Sequence, residues 1–406
     1  MSKLAHLQRF LPGERTRMML ITAAIGLMAG LVIIAFRESM ELVKTIILHH
    51  GASLLGIDQG GWRRALLPLL PMVGAALLIP FSLAFPGEIN GYGLPRFLKR
   101  VNLENGVFKA RTIVLKIVSS ALSIGSGNSA GTEGPIAQIG GAIGSQVGQR
   151  FRVSGRRMKV YIAAGCAGGI AGIFNAPLAG AFFAMEVILV DFTVDAFAFV
   201  VLASVSSSVL SHHLLGTTLS LSLPSLSLGG DAQLGWVAIL GVLGGLVGIA
   251  FSRCRFLAAD GCRDLLDAIR LPQWARPAVG GLALGALLLA VPEMYGESSA
   301  VLGRALGNEY TTTALLALTA AKIAATSLTM GVGFVGGVFA PSLLIGGTLG
   351  AWLGSLVAPT PTGVAVFGVV GMGAVFTGSA RAPMTAVILI IEMTGQHALL
   401  LPLMLT

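Results

Sequence analysis

Charged residues are scarce in this chain of 406 residues. They make up 11% of the sequence, against roughly a quarter in soluble domains, while 54% of the residues are hydrophobic. This composition excludes an ordinary soluble protein and a nucleic-acid-binding domain, which needs basic residues on a soluble face. Apolar runs at 18–36, 66–85 and 234–250 approach or reach the ~20 residues of a spanning helix, and none alternates like a barrel strand. The sequence predicts an all-helical integral membrane protein.

Cysteine and histidine are also rare. The three cysteines, Cys166, Cys254 and Cys262, show no C-x-x-C spacing and are too few for a disulfide framework. His212 and His213 are adjacent, but the sequence shows no third ligand or orienting acid for them. We therefore expect no metal site and no cofactor.

The positive charges are unevenly placed along the chain, whose net charge is +9. Three basic clusters stand out: Lys3, Arg9, Arg15 and Arg17; Arg96, Lys99 and Arg100; and Arg150, Arg152, Arg156, Arg157 and Lys159. Because cytoplasmic loops carry an excess of Lys and Arg, we expect all three clusters and the N-terminus in the cytoplasm.

The chain repeats itself at an offset of 206 positions, at which residues 125–148 align on 331–354 without a gap. The same register aligns Lys116 with Lys322, Ala176-Pro177 with Ala382-Pro383, and Glu186 with Glu392. The sequence therefore predicts one transmembrane domain of two related halves, at about 18–210 and about 230–406. Duplicated halves commonly form one transport site at their interface from broken helices.

Glycine-rich breaks interrupt the apolar segments, and each leads into a helix start. Irregular backbone in a membrane is tolerated only where it is buried in protein or lines a water-filled cavity. Proline, which is favoured at the first helical position, stands in Leu94-Pro95, Gly134-Pro135 and Ala340-Pro341. Three helix N-termini are thus predicted within the membrane. Their free N–H groups and dipoles would bind an anion weakly enough to release it.

One carboxylate, Glu133, stands in such a break, within GSGNSAGTEGPIAQIGG at 125–141. In a soluble protein a helix-capping role would be preferred, but an ionisable group at a membrane helix break is functional by default. A carboxylate is itself an anion, so it can occupy an empty site and swing out or take up a proton when an ion arrives. We predict that Glu133 gates the site.

Four other charged residues are matched by the repeat. Glu186 and Glu392 each follow an Ala-Pro by nine residues, near a predicted helix end. We expect each to pair with a backbone amide or a basic group at the cytoplasmic edge. Lys116 and Lys322 are expected to extend their ammonium groups to a membrane interface.

Four motifs together resemble the CLC family of chloride channels and proton-coupled chloride antiporters. They are GYGLP at 91–95, GTEGP at 131–135, GIFNAPLAG at 172–180 and GGVFAP at 336–341. The resemblance covers nearly the whole chain and is to prokaryotic-type members without CBS domains. It implies a homodimer in a bacterial inner membrane, in which each subunit has its own pore formed by two inverted repeats of tilted, partly broken helices.

The resemblance also implies chloride as the ligand, with other halides, nitrate and protons as further candidates, and Glu133 as the external gate. Residues of the three helix starts would bind the anion. They are Gly91, Tyr92, Gly93, Leu94 and Pro95; Thr132, Gly134 and Pro135; and Gly337, Val338, Phe339 and Ala340.

Departures from the family pattern leave the finer function open. Tyr92 replaces a usual serine and Thr132 a usual Arg or Lys, so a fluoride-type exporter remains an alternative. Val187, next to Glu186, occupies the position of the antiporters' internal proton glutamate, as valine does in the channels. We therefore prefer a passive chloride channel, the alternative being an antiporter in which Glu186 or water relays the proton. The family's final helix, with its central tyrosine, is expected to be missing or trimmed.

The distant alternative is an intramembrane enzyme, such as a protease that uses Ser126 or Ser129. It would need a base within hydrogen-bond reach of the nucleophile. The repeat instead places Val332 and Val335 at the matching positions, so the second half has no counterpart chemistry. We expect a transport protein and not an enzyme.

Overall fold

The computed structural model describes residues 13–57, 60–85, 87–89, 93–216, 221, 223–272, 274–296 and 299–406. Within these residues the chain is helical, and its one extended pairing is an isolated bridge. Seven of the described helical segments are long and apolar enough to cross a membrane. The prediction of an all-helical membrane protein is therefore confirmed.

The described helices follow one another along the chain with short connections. They are α1 (Glu14–Lys44), α2 (Gly51–Leu54), α3 (Leu69–Ala84), α4 (Leu94–Leu103), α5 (Arg111–Gly125), α6 (Glu133–Arg150), α7 (Gly155–Phe174), α8 (Pro177–Phe183), α9 (Val194–Leu215), α10 (Asp231–Ala268), α11 (Arg276–Ala290), α12 (Ser299–Leu306), α13 (Thr312–Gly331), α14 (Phe339–Val357), α15 (Pro361–Ala380), α16 (Pro383–Thr394) and α17 (Leu400–Leu405). A π turn, Thr45–His50, continues α1 into α2.

Helix boundaries in the two parts of the chain differ by the same 206 positions that relate the sequences. α6, α7 and α8 start 206 positions before α14, α15 and α16, respectively. The local causes also match. Pro177 and Pro383 occupy the first turns of α8 and α16, where proline lacks only an N–H that would be unpaired. Asn175 and Arg381 end α7 and α15 in the left-handed conformation, with φ of 51° and 56°.

Glycine determines how closely the central helices approach. α6 packs on α7 where Gly140 meets Gly165, and α14 packs on α15 where Gly346 meets Gly371. A Cβ atom on any of these four residues would overlap the carbonyl oxygen of the facing glycine. Small residues allow such close packing between membrane helices. The two contacts therefore set how closely α6 lies to α7 and α14 to α15.

The described residues of the three basic clusters lie at one end of the helices. Arg157, after α6, forms an ion pair with Glu14 at the start of α1. Lys159 Nζ donates to Asn102 Oδ1 at 3.1 Å, close to the basic residues of α4. These contacts join the start of α1, the end of α4 and the start of α7 on one face of the protein.

Lys116 and Lys322 are buried, so the expectation that they reach a membrane interface is wrong. Their exposed fractions are 5% and 0%. Lys322 Nζ donates to the carbonyl oxygen of Gly296 at 3.1 Å, and the Gly296 N–H donates to the carbonyl oxygen of Gly127 at 3.1 Å. Lys116 lines a cavity of about 70 Å³ together with Gln138. Lys322 therefore has a partner inside the protein, whereas Lys116 is buried beside a cavity that exposed Arg96 also lines.

Candidate functional site

The starts of α6 and α14 are joined by backbone hydrogen bonds. Gly131 N–H donates to the carbonyl oxygen of Gly337 at 2.9 Å, and Gly337 N–H donates to that of Gly131 at 2.6 Å. These residues are matched by the repeat, so the bridge pairs equivalent positions with each other. It brings two helix N-termini, each a region of positive potential, to one place.

Glu133 lies at this junction. It is the first residue of α6, and its side chain is 1% exposed. Its Oε1 accepts a hydrogen bond of 3.1 Å from the backbone N–H of Ala340, in the first turn of α14. The carboxylate therefore occupies the kind of position that an anion would take at a helix N-terminus.

A cavity of about 390 Å³, here called the vestibule, leads to Glu133. Buried Glu133 and half-buried Ala340 lie at its floor, and exposed Arg37, Glu41 and His212 line its rim. An anion and water can therefore reach the gate from this side. The prediction that His212 belongs to no metal site stays a prediction.

The first turn of α14 is tightly held. Val338 and Phe339 are 3% and 5% exposed. The Phe339 ring packs edge-on against Phe183 and Phe376, with centroid distances of 5.5 and 4.7 Å. A Cβ atom on Gly337 would lie 2.7 Å from the backbone nitrogen of Gly134, so this contact requires glycine. The amides that face Glu133 thus have little freedom to move.

The third predicted helix start, at α4, reaches the junction through Gln138. A Cβ atom on Gly93, the residue before α4, would lie 2.6 Å from Gln138 Oε1. Gln138 Nε2 in turn donates to the carbonyl oxygen of Gly134 at 3.1 Å. Leu94 is buried, and Pro95 follows it in the first turn.

The structure thus brings the predicted helix starts of α6 and α14 into direct contact. The start of α4 lies next to them, separated by the Gln138 side chain. Thr132, Gly134 and Pro135 surround the start of α6, where Thr132 is buried and forms no side-chain cap. Gly91 and Tyr92 lie outside the described residues.

Glu186 and Glu392 cap each other's helices. Glu186 accepts hydrogen bonds of 3.2 and 2.9 Å from the backbone N–H groups of Met384 and Thr385 at the start of α16. Glu392 accepts bonds of 3.0 and 2.7 Å from those of Leu178 and Ala179 at the start of α8. The expected pairing with backbone amides is confirmed. Val187, beside Glu186, is half-buried.

We expect Glu186→Ala and Glu392→Ala each to lower the free energy of unfolding by roughly 1–3 kcal/mol, because each leaves two helix N–H groups without a charged acceptor. Thermal unfolding in detergent measures this. Glu186→Ala should lose somewhat more stability than Glu392→Ala, because Glu186 also accepts a hydrogen bond of 2.7 Å from Thr385 Oγ1. Glu38→Ala, at an exposed carboxylate of α1, is the control and should change little. Losses no larger than that of the control would show that the caps do not stabilise the fold.

Sequence reasoning missed Gln138 and Arg37. Gln138 stands four residues after Gly134 in a stretch of small and apolar residues, and this isolated polar side chain on the inner helix could have been noticed. Arg37 ends an apolar run and looks like an ordinary interfacial cation. No signal in the sequence places Arg37 at the rim of the cavity that leads to Glu133, which lies 96 positions later in the chain.

Comparison with known proteins agrees with this geometry. The profile of the family described as "Voltage gated chloride channel" matches residues 72–406. A "Putative chloride channel protein ClcB-like" from Ralstonia nicotianae is 31% identical over 96% of this chain and 91% of its own length. An "H(+)/Cl(-) exchange transporter ClcA" from Vibrio cholerae is 30% identical over 98% of this chain and 87% of its own length.

A crystal structure of a slow cyanobacterial Cl⁻/H⁺ antiporter superposes with a TM-score of 0.81 at 26% identity. The match covers 96% of this chain and 92% of that one. The predictions of a multi-pass membrane protein, of anion transport and of a transporter and not an enzyme are confirmed. The profile match and the coverage of these relatives show that the chain belongs to the CLC family of chloride channels and proton-coupled antiporters.

Proposed function

We propose that the protein exchanges chloride for protons, and that Glu133 both gates the anion site and carries the proton. The observation that carries this proposal is the hydrogen bond from Ala340 N–H to the Glu133 carboxylate at the joined starts of α6 and α14. A carboxylate and a chloride ion compete for the same N–H groups. Since protonation removes the negative charge of the carboxylate, it favours the ion in that competition.

Exchange is preferred here to the passive channel that Val187 suggested. The Vibrio relative and the cyanobacterial structure carry the names of exchangers, which supports this choice. Relay of the proton by Glu186 is not supported, because both of its oxygens accept hydrogen bonds from α16. Relay by water is therefore the preferred route on the inner side.

The transport cycle follows from the geometry. With Glu133 ionised, its carboxylate holds the N–H of Ala340 and closes the floor of the vestibule. A proton that arrives through the vestibule neutralises the carboxylate, which weakens this charge-assisted hydrogen bond. The side chain leaves, and an anion takes its place at the helix ends. Loss of the proton to water on the inner side restores the negative charge, so the carboxylate returns, displaces the anion and closes the floor of the vestibule again.

The anion-binding groups are proposed at the three helix starts. They are Gly91, Tyr92, Gly93, Leu94 and Pro95 at α4, Thr132, Gly134 and Pro135 at α6, and Gly337, Val338, Phe339 and Ala340 at α14. Backbone N–H groups bind the ion by partial charges, so binding stays weak enough for turnover.

The membrane orientation is proposed from the two ends of α1. Glu14 lies at the end that holds the basic clusters, and Arg37, at the vestibule rim, lies 23 positions later. At 1.5 Å per residue this separation is about 35 Å, which spans a bilayer. We place the N-terminus in the cytoplasm of a bacterial cell and the vestibule outside.

We also propose a homodimer with one pore per subunit, each formed by inverted halves at about 18–210 and about 230–406.

The reversal potential of the protein in proteoliposomes tests the proposal. We expect a proton gradient to displace this potential at a fixed chloride gradient, because each turnover moves both ions. A potential that follows chloride alone would instead identify a passive channel. Replacing chloride by fluoride and by nitrate identifies the preferred anion, and a potential set by fluoride in place of chloride would favour the fluoride-type alternative.

A further inference from the structure

The positive charge of Arg37 lies at the vestibule. It projects from α1 at the exposed rim, while Glu133 and the start of α14 form the floor. In the described wall of the vestibule it is the one Lys or Arg side chain. Ser211 and Asn175 contribute polar groups without charge, and most of the remaining wall is apolar. A single unit of positive charge therefore faces the route to the gate.

The nearby acid does not cancel this charge. Glu41, one helical turn after Arg37, also lines the vestibule. Its carboxylate oxygens accept hydrogen bonds of 3.3 and 3.2 Å from Lys44 Nζ. Arg37 itself forms no ion pair or hydrogen bond with the described part of the chain. The charge of Glu41 is offset by Lys44, and the guanidinium of Arg37 is available to a mobile anion.

A cation at the mouth of a cleft with apolar walls acts over a distance. Walls of low dielectric constant concentrate the field within the cleft, so the local concentration of the oppositely charged ligand rises. The effect reaches about one Debye length, roughly 10 Å at 0.1 M salt. Because Arg37 is at the rim and not among the amides at the floor, it can attract an anion without holding it at the gate.

We propose that Arg37 draws the transported anion into the vestibule and sets its apparent affinity. This inference rests on the proposed function only in requiring that anions enter by the vestibule, and it holds for an exchanger and for a channel. Arg37 acts on the entry of the ion into the vestibule, and Glu133 remains the proposed gate.

Four variants of α1 test this in proteoliposomes at low ionic strength, with the rate of chloride uptake measured against chloride concentration. We expect Arg37→Gln to raise the half-saturating chloride concentration about threefold with an unchanged maximal rate, as for loss of one charge near the ion path. Arg37→Lys should stay close to the original protein. Glu41→Gln should lower the half-saturating concentration, because it adds one unit of positive charge at the same rim.

The control is Arg17→Gln, since Arg17 is an exposed cation of the same helix about 30 Å from Arg37. It should leave the half-saturating concentration unchanged. Raising the ionic strength with an impermeant salt should remove the effects of Arg37→Gln and Glu41→Gln, because the Debye length falls to ~3 Å at 1 M.

Equal chloride dependence in Arg37→Gln and the original protein would overturn the proposal. So would an effect that survives high salt, or one that Arg17→Gln reproduces. If Arg37→Gln does not fold, the opposite shift in Glu41→Gln still decides the question. The proton dependence of the reversal potential is measured separately, so a failure of exchange is distinguishable from a failure of this assignment.

Discussion

Glu133→Gln is expected to abolish proton coupling while chloride still moves. Glutamine keeps the size and the acceptor oxygen of the side chain, so it can still meet Ala340 N–H, but it cannot bind and release a proton. We expect proton flux driven by a chloride gradient to fall by ~100-fold or more, the scale of losing a positioned proton-transfer group. The reversal potential should then follow chloride alone.

The matched control for this experiment is Glu41→Gln. Glu41 lines the same vestibule but is exposed and held by Lys44, away from the joined helix starts. Coupling should persist in this variant even though its chloride affinity changes. If a chloride gradient still drives proton flux in Glu133→Gln, Glu133 is not the proton carrier and the proposed exchange mechanism is wrong.

Gly165→Ala and Gly371→Ala are expected to be strongly destabilising. In each case the new methyl group would overlap a backbone carbonyl oxygen, of Gly140 or of Gly346, and backbone cannot move aside as a flexible side chain can. We expect a cost of roughly 3 kcal/mol or more for each, at the upper end for overpacking. The fraction of monodisperse protein in detergent and the temperature of thermal unfolding should both fall.

Gly245→Ala provides the comparison. Gly245 lies within α10, and a Cβ atom there would have no neighbour within 4 Å. Alanine should therefore be neutral or stabilise the helix by up to about 1 kcal/mol, through its better helix propensity. If Gly165→Ala and Gly371→Ala behave like Gly245→Ala, the two glycine contacts do not limit the approach of the helices.

The helix starts could be predicted from the sequence because their causes are local. Glycine allows the break and proline favours the first turn, and both signals lie within a few residues of the start of α6 or α14. That Glu133 belongs to such a break is likewise visible in GTEGP. The direct pairing of Gly131 with Gly337 could not be predicted, because a repeat shows that two positions are equivalent and not that they are in contact.

Partners that are remote in sequence could not be predicted. Lys322 was expected at an interface because a long side chain usually reaches water, but the Gly296 carbonyl gives it a partner inside the protein. Glu186 was expected to meet some backbone amide, yet the sequence could not say that the donors belong to α16. The preference for a channel depended on Val187 alone. The role of Tyr92 stays a prediction.

The reciprocal capping of α16 by Glu186 and of α8 by Glu392 has a consequence for the synthesis of the protein. Glu186 leaves the ribosome long before Met384 and Thr385, and α8 is synthesised long before its acceptor Glu392. Until the later segment has been made, Glu186 and the first turn of α8 lack these hydrogen-bond partners. We therefore expect both caps to form only when the segments that hold α8 and α16 dock.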